Sequence, residues 1–287
     1  MKYSAAVLLT CHNRKEKTIR CLKSLFQAVL PSNATIQVFL VDDGCTDGTP
    51  EAVQDQFPEI KIVKGSGNLF WAGGMRLAFQ EAVKERNYDG FLLLNDDVEL
   101  KPDFILNLFE TKKYCNKKFG KGGIYSGSTI DRESGKVSYG GNVLIKGEHR
   151  LAYRLLEPTH LPQPCHLTNA NILLVDKEVV DTIGFFDEHF IHGLADYDFS
   201  LRAFKAGIPV YITPGFCGYC KDDHGNNWSS SKKLKERIAY LKSPTGLAYK
   251  EYLFYGKRHF PKQVPIMFIK LWAKTLFPSI WNLKKSN

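Results

Sequence analysis

The sequence predicts an α/β fold in which a mostly parallel sheet carries helices on both faces. Two observations support this prediction. Continuous apolar runs alternate with amphipathic segments through the first hundred residues, which is typical of parallel strands joined by helical crossovers. The chain has 287 residues, of which 44% are hydrophobic and 24% charged, so its size and composition suit a globular protein with a large core.

The first hundred residues divide into four strands and three helices. The runs predicted as strands are YSAAVLLT, IQVFLVDD, IKIVKG and GFLLLN, and the segments predicted as helices are 14–30, 49–57 and 71–86. Asp47 is the expected cap of the second helix, and Pro50 lies in its first turn, where the fixed φ of proline is compatible with a helix.

The later part of the chain is less regular. Between residues 121 and 167 glycines and polar turns multiply, which predicts antiparallel strands and loops that cover a functional site. Beyond this section NILLV is predicted as a buried strand, DYDFSLRAFKAG as a helix and IPVYITP as a last strand.

The positive charge is concentrated near the C-terminus. Residues 232–287 hold 13 Lys and Arg against 2 Asp and Glu, whereas residues 1–231 hold 26 against 28. We expect a main domain over 1–227 and a helical, basic and aromatic extension over 228–287. Trp272 and Trp281 lie among apolar residues and lysines in this extension, which favours a membrane interface. The alternative is a helix packed on the body with a solvated basic face.

Partners and location follow from the same features. Nucleic acid is not expected, because no recognised binding motif accompanies the charge. The N-terminal residues resemble a first strand and lack the features of a secretory signal. We therefore expect a cytoplasmic location, with peripheral binding to the inner face of the cell membrane through the tail.

Polar side chains follow three of the predicted strands at the point where each ends. They are Thr10–Asn13, Asp42–Asp43 and Asn95–Asp97. Parallel strands place their carboxyl ends along one edge of the sheet, where ligands bind in α/β folds. Residues 95 and 97 alternate along an extended chain and can share one ligand. Asp97 suits Mg²⁺, which takes one or two carboxylates plus substrate phosphates, although an aspartate here could also cap the following turn.

Four segments in order resemble the GT-A glycosyltransferases of family 2, over roughly residues 5–227. The segments are VLLTCHNRKEKTIRCLKSL, VFLVDDGCTDGT, LLLNDDVELKPD and GFFDEHFIHGLADYDFSLRAFKAG. GNLFWAGGMRLA is similar to a narrower branch that contains bacterial rhamnosyltransferases. The resemblance implies a Rossmann-like GT-A sheet and a transferase that uses Mn²⁺ or Mg²⁺.

The resemblance also implies roles for individual residues. Asp196 would be the catalytic base, and the metal ligands would be Asp97, Asn95 and His224. The donor side would be formed by Thr10, Asn13, Asp42, Asp43, Asn68, Gly74, Arg76 and Asp96. Asp198 and Trp71 are placed on the acceptor side, with an Asp198–Arg202 ion pair and core packing of Trp71 as the respective alternatives.

Two positions depart from the family pattern. Ala195 stands where the family usually has Glu, so acceptor contacts there are in question. Asn95 replaces the first carboxylate of the metal motif, which lowers the expected metal affinity.

The expected chemistry needs two separate carboxylate positions. A metal ion stabilises the charge that grows on a leaving nucleoside diphosphate, and a second carboxylate takes the proton of the attacking hydroxyl. We expect an inverting enzyme that moves a sugar from a UDP- or dTDP-linked donor to a glycan or lipid-linked acceptor, as in bacterial cell-surface polysaccharide synthesis. A sugar-nucleotide nucleotidyltransferase and a non-catalytic carbohydrate- or lipid-binding module are the alternatives.

Overall fold

The first four strands alternate with helices, as predicted. The computed structural model describes residues 2–145, 152–222 and 233–278. Its opening elements are β1 (Tyr3–Cys11), α1 (Lys15–Phe26), β2 (Ala34–Asp42), α2 (Thr49–Gln56), β3 (Lys61–Lys64), α3 (Phe70–Glu85) and β4 (Gly90–Leu94). Gly48, not Asp47, is the N-cap of α2. Asp47 instead accepts hydrogen bonds from the backbone N–H groups of Lys15 and Thr49 at 2.9 and 3.1 Å, so it serves the starts of two helices.

These four strands are parallel and lie in the order β3, β2, β1, β4. Cys11 pairs with Asp42, and Leu8 pairs with Leu93. The carboxyl ends of the strands therefore lie at one edge, as the sequence predicted. The connection from β3 to β4 crosses over β2 and β1, which makes the gap between β1 and β4 a topological switch point.

The second half of the chain extends the sheet beyond β4. Its elements up to residue 222 are β5 (Glu99–Leu100), α4 (Phe104–Phe119), β6 (Ile124–Ile130), β7 (Val137–Tyr139), β8 (Gly141–Leu144), β9 (Tyr153–Leu155), β10 (Gln163–Pro164), β11 (Leu167–Thr168), β12 (Ile172–Asp176), α5 (Lys177–Ile183), α6 (Ala195–Lys205) and β13 (Val210–Tyr219). β12 pairs antiparallel with both β4 and β6, so the sheet is mixed in this half. The expected antiparallel strands occur in β8, β9 and β11, which form a small separate sheet.

Helices cover both faces of the main sheet, because successive side chains of each strand point to opposite sides. On β1, Ala6 and Leu8 belong to one core cluster, and Val7 and Leu9 to another. The first cluster packs against α3, α5 and α6, and the second against α1, α2 and α4. The predicted α/β class, with a mostly parallel sheet between helical layers, is confirmed.

The C-terminal region is helical and packs on the body. It contains α7 (Leu234–Lys242), α8 (Tyr249–His259), a 3₁₀ turn (Pro261–Gln263) and α9 (Val264–Leu276). Tyr255 is fully buried and belongs to the first core cluster. Met267 and Leu271 are also buried. Among the described helices, none has the length and apolar character needed to cross a membrane.

Candidate functional site

A cavity of about 620 Å³ opens at the carboxyl edge of the sheet, beside the switch point. Five of the residues that the sequence predicted for the site line this cavity: Trp71, Asn95, Asp96, Asp97 and Asp196. They come from α3, the end of β4 and the start of α6. Two carboxylate positions separated by about a hundred residues of sequence therefore share one space.

The apolar run of β4 anchors the carboxylates that follow it. Residues 91–94 are at most 3% exposed, and the polarity changes at Asn95 as the strand leaves the core. The Asn95 Oδ1 accepts a hydrogen bond of 2.8 Å from the indole Nε1 of Trp71. Trp71 also contacts Phe186 with a ring separation of 5.4 Å. The tryptophan thus combines core packing with a place in the cavity wall.

Arg14 joins the ends of β1 and β4 across the switch point. Its Nη1 lies 3.2 Å from Asp96 Oδ1 and 3.1 Å from Asp97 Oδ2. Burial raises the pKa of Asp96 to about 6, and the Arg14 charge opposes that rise. Lys17 lies 3.7 Å from Asp97. Arg14 lines the cavity, and its position just after the first strand is the sequence signal that could have identified it.

Asp196 is held at the start of α6 by backbone hydrogen bonds. Its two oxygens accept from the N–H groups of Tyr197 at 2.8 Å and Ala170 at 3.2 Å. Burial raises the pKa of Asp196 to about 6, although these hydrogen bonds act in the opposite direction. A carboxylate with a raised pKa is a better proton acceptor near neutral pH. The neighbouring Ala195 is fully buried. Because its side chain is a methyl group, it offers the cavity no polar contact.

Two predicted donor-side residues bind backbone groups of nearby loops. Asp43 is 4% exposed, and its carboxylate accepts backbone N–H bonds of 2.7–3.0 Å from Gly67, Leu69 and Phe70. Arg76 donates to the backbone carbonyls of Asp187 and Phe190 at 3.0 and 2.7 Å. Backbone N–H groups thus occupy both oxygens of Asp43, and backbone carbonyls occupy Nη1 of Arg76. The predicted donor contacts of these two residues stay predictions.

The other predicted donor residues lie near the same edge but outside the cavity wall. A Cβ on Gly74 would lie 2.2 Å from Thr10 Oγ1, so glycine allows α3 to approach β1. Asn13 accepts a bond of 2.7 Å from the Thr46 N–H, and Asp42 accepts one of 2.7 Å from the Cys45 N–H. Asn68 is exposed in the loop before α3. Their predicted donor contacts stay predictions.

Asp198 belongs to an ion-pair network and does not line the cavity. Its side chain is 0% exposed and contacts Arg202 at 2.8 Å, Arg258 at 3.0 Å and His259 at 2.8 Å. Burial opposes ionisation, but hydrogen bonds from these partners outweigh it and lower the pKa of Asp198. The alternative of an ion pair with Arg202 is observed, and the acceptor-side role of Asp198 stays a prediction.

Sequence reasoning missed much of the opposite wall. This wall contains Tyr139, Asn142, Tyr153, Asn169, His192 and Tyr197. Several of them come from β7, β8 and β9, which are too short and irregular to give a clear periodic signal. The Asn142 amide donates to the Tyr197 hydroxyl at 3.1 Å, which links the small sheet to α6.

Asp97 is the predicted metal ligand whose carboxylate lies at the cavity wall. Asp97 supplies a carboxylate at the cavity wall, with the Cys220 thiol 3.8 Å from its Oδ1. Across the described ranges, no cluster of three or more His, Cys, Asp or Glu side chains could hold a metal. A cation here would therefore need substrate phosphates and water to complete its shell, as is common for Mg²⁺. The predicted ligand His224 lies outside the described residues.

Comparison with known sequences identifies related proteins. The model of the glycosyl transferase family 2 matches residues 6–170. The chain is 25% identical over 204 residues to an N-acetylglucosaminyl-diphospho-decaprenol L-rhamnosyltransferase of Mycobacterium tuberculosis, covering 64% of this chain and 66% of the relative. It is 23% identical over 248 residues, or 82% of this chain and 71% of the relative, to a dolichyl N-acetyl-alpha-D-glucosaminyl phosphate 3-beta-D-2,3-diacetamido-2,3-dideoxy-beta-D-glucuronosyltransferase of Methanococcus voltae.

A solved structure has a similar fold. It is a mannosyltransferase from Pyrobaculum calidifontis in complex with GDP-Man and Mn²⁺, and the TM-score is 0.55 at 14% identity. The superposition covers 99% of this chain and 73% of the other. The likeness supports the assignment of the fold.

Proposed function

The chain belongs to glycosyl transferase family 2, and on that premise we propose that it is a metal-dependent, inverting glycosyltransferase. The proposed donor is a nucleoside-diphosphate sugar, and the proposed acceptor is a sugar carried on an isoprenoid phosphate. The observation that carries the proposal is that Asp97 and Asp196 line the same cavity. Family membership favours sugar transfer over the nucleotidyltransferase alternative.

The residues of the cavity divide between the two substrates. Asp196 accepts the proton of the acceptor hydroxyl, and its two backbone N–H bonds fix the direction of the carboxylate. Trp71 and Asn95 hold each other at 2.8 Å and form a rigid wall beside Asp97. Preorganised groups of this kind lower the barrier because they need no rearrangement during the reaction.

Asp97 would hold the metal, with the Asn95 amide beside it. A bound Mn²⁺ or Mg²⁺ would supply Lewis-acid stabilisation of the leaving diphosphate. Arg14 and Lys17 pair with Asp97, so a metal bound at this carboxylate would compete with them, and their charges would then be available to the anionic donor.

The names of related proteins support both substrate classes. The mannosyltransferase neighbour was solved with a nucleoside-diphosphate sugar and Mn²⁺. The names of the two sequence relatives place the sugar on diphospho-decaprenol and on dolichyl phosphate. We extend these two classes to this chain.

The function is tested by thermal unfolding with a panel of nucleotide sugars. UDP-, dTDP- and GDP-linked sugars are added with Mn²⁺, with Mg²⁺ and with EDTA. A donor at 100 times its Kd should stabilise the native chain by about 2.7 kcal/mol. The proposal requires stabilisation by at least one sugar nucleotide in the presence of metal. A panel in which none stabilises the chain would contradict it, and binding without transfer would favour the binding-module alternative.

Replacing Asp97 should remove metal-dependent donor binding. In Asp97→Ala the carboxylate at the cavity wall is lost, so affinity for the donor with Mn²⁺ should fall by about 100-fold, because even outer-shell partners contribute about 10–100-fold. Calorimetric titration with the stabilising donor measures the change. The matched control is Asp55→Ala on the exposed surface of α2, which should bind like the wild type. Unchanged Mn²⁺-dependent binding in Asp97→Ala would remove this residue from the metal site.

We also propose that α9 lies against a membrane surface. One face of this helix packs inward through Met267 and Leu271, while Ile266, Ile269 and Leu276 are 41%, 63% and 43% exposed. These three positions follow helical spacing and form an outward apolar stripe. Exposed stripes of this kind mark protein or membrane contacts. Trp281, Lys284 and Lys285 of the predicted tail lie outside the described residues.

The double variant Ile266→Glu with Ile269→Glu should release the protein from vesicles. Burying one isoleucine contributes about 1.5–3 kcal/mol, so the loss of two should lower partitioning onto phosphatidylglycerol vesicles by about 100-fold or more. Co-sedimentation measures the bound fraction. Val83→Glu with Leu161→Glu is the control, because these side chains are also exposed and lie outside α9. An equal loss of vesicle binding in both double variants would indicate a general effect of the added negative charge. It would contradict the proposal that the apolar stripe of α9 contacts the membrane.

A further inference from the structure

A second cavity lies between α9 and the loop that precedes α8. Its volume is about 450 Å³. Apolar side chains of the loop and of α9 supply much of its wall, among them Leu247, Met267 and Leu271. Buried apolar cavities with a few polar groups are typical binding sites for small molecules. The catalytic residues of the proposed reaction lie outside this cavity.

The two cavities share a wall. His192, Gly193 and Leu194 line both of them, and Asp196 follows two residues later. Leu194 has a φ of 66°, and Ala248, which also lines the second cavity, has a φ of 44°. Non-glycine residues in this left-handed region are strained and cluster at functional sites. Because both cavities meet at this wall, a ligand that spans the two would have one end in the cavity that Asp196 lines.

Two lysines join the polar residues His192, Thr245 and Tyr252 in the wall of the second cavity. Lys270 and Lys274 line it from α9, and their spacing of four residues places them on one helix face. The described lining residues include no Asp or Glu. Glu251, on α8, is 4% exposed and accepts the backbone N–H groups of Ile191 and His192. An apolar cavity with two ammonium groups is complementary to an apolar chain that carries phosphate.

The lysines also lie beside the outward stripe of α9. On the helix, Lys270 follows Ile269 and Lys274 precedes Leu276 by two residues, so the cationic face adjoins the exposed apolar one. A phosphate bound at the lysines would thus have its hydrocarbon chain directed along an apolar surface. Anionic headgroups and adjacent apolar chains are the two parts of a lipid-linked acceptor.

We propose that this second cavity binds the phosphate and first isoprene units of the acceptor, and that Lys270 and Lys274 contact the phosphate oxygens. The inference rests on the proposed function for its acceptor class. The sugar of the acceptor would then pass the His192–Leu194 wall and present its hydroxyl to Asp196. No structural feature of the donor site is needed for this binding.

The test uses farnesyl diphosphate, a short isoprenoid diphosphate, with the full chain in calorimetric titration. Inorganic pyrophosphate and farnesol are titrated separately, to distinguish the phosphate from the hydrocarbon contribution. Lys270→Gln with Lys274→Gln should weaken farnesyl diphosphate binding by about tenfold or more, because hydrogen bonds to charged groups are among the stronger polar contacts. Lys257→Gln with Lys262→Gln removes the same charge from exposed positions outside the cavity and should leave binding unchanged.

Several results would overturn the assignment. They are no binding of farnesyl diphosphate, equal loss in the two double variants, and pyrophosphate binding as tight as that of farnesyl diphosphate. The nucleotide-sugar panel is independent of this titration. If the protein binds nucleotide sugars but not farnesyl diphosphate, the proposed function stands and this inference is wrong. If it binds farnesyl diphosphate but no nucleotide sugar, the isoprenoid site stands and the proposed function is wrong.

Discussion

Asp196→Asn should bind the donor with unchanged affinity and lose transfer by about 10²–10⁴-fold, the usual contribution of a positioned general base. The amide has nearly the same shape as the carboxylate, and its one oxygen can still accept from the N–H group of Tyr197 or of Ala170, but not from both. It cannot take a proton at neutral pH. The loss should therefore appear in kcat, measured with the donor that stabilises the chain and an isoprenoid-linked sugar.

The pH dependence gives an independent readout of the same group. Asp196 must be ionised to accept a proton, and burial raises its pKa to about 6. Wild-type kcat/KM should therefore be constant above pH 7 and fall about tenfold per pH unit below 6. Asp196→Asn should lack this acidic limb. A raised pKa means that ionised Asp196 disfavours the folded state at pH 7, and removing this charge offsets part of the cost of the backbone hydrogen bond that the variant loses.

Asp181→Asn is the control for this variant. Asp181 lies on α5 with a side chain that is 57% exposed, and its amide variant should transfer at the wild-type rate. If Asp196→Asn retains more than about a tenth of wild-type kcat, the loss is too small for a general base. Such a result would leave Asp196 as a structural residue of α6.

Asp198→Ala should lower the free energy of unfolding by about 3–5 kcal/mol, as expected when one partner of a buried ion pair is removed. The carboxylate is 0% exposed, and its removal leaves Arg202, Arg258 and His259 without their shared anion. These partners connect α6 to α8. The loss should therefore also weaken the attachment of the C-terminal helices, and urea denaturation monitored by tryptophan fluorescence measures it.

The sign of the pH effect follows from the lowered pKa of Asp198. Its stabilising contribution is fully present above the unfolded value of about 3.9 and disappears as the pH falls through the lower folded value. The difference between wild type and variant should thus be constant at pH 5–8. Asp181→Ala removes an exposed pair with Lys177 and should change stability by at most about 0.5 kcal/mol. Similar losses of unfolding free energy in Asp198→Ala and Asp181→Ala would contradict the stabilising role of the buried ion-pair network.

Membership of the family and the principal carboxylates follow from local sequence. A run such as FLLLNDDVEL places an apolar strand before its polar end, and hydrophobic burial alone fixes that polarity. Parallel pairing of β1, β2 and β4 then brings the strand ends to one edge. The sequence therefore predicted the edge, the position of Asp97 and the helix that starts near Asp196.

Which polar groups contact backbone and which remain at the cavity was decided by the tertiary structure. Asp43 and Asp97 both follow buried strands, but the loop after β3 folds onto Asp43 and uses both of its oxygens. Asp196 and Asp198 lie two residues apart on one helix, yet one lines the cavity and the other meets two arginines and a histidine. Buried polar groups take whichever partners the packed chain brings to them. Those partners come from distant segments, so no local pattern specifies them.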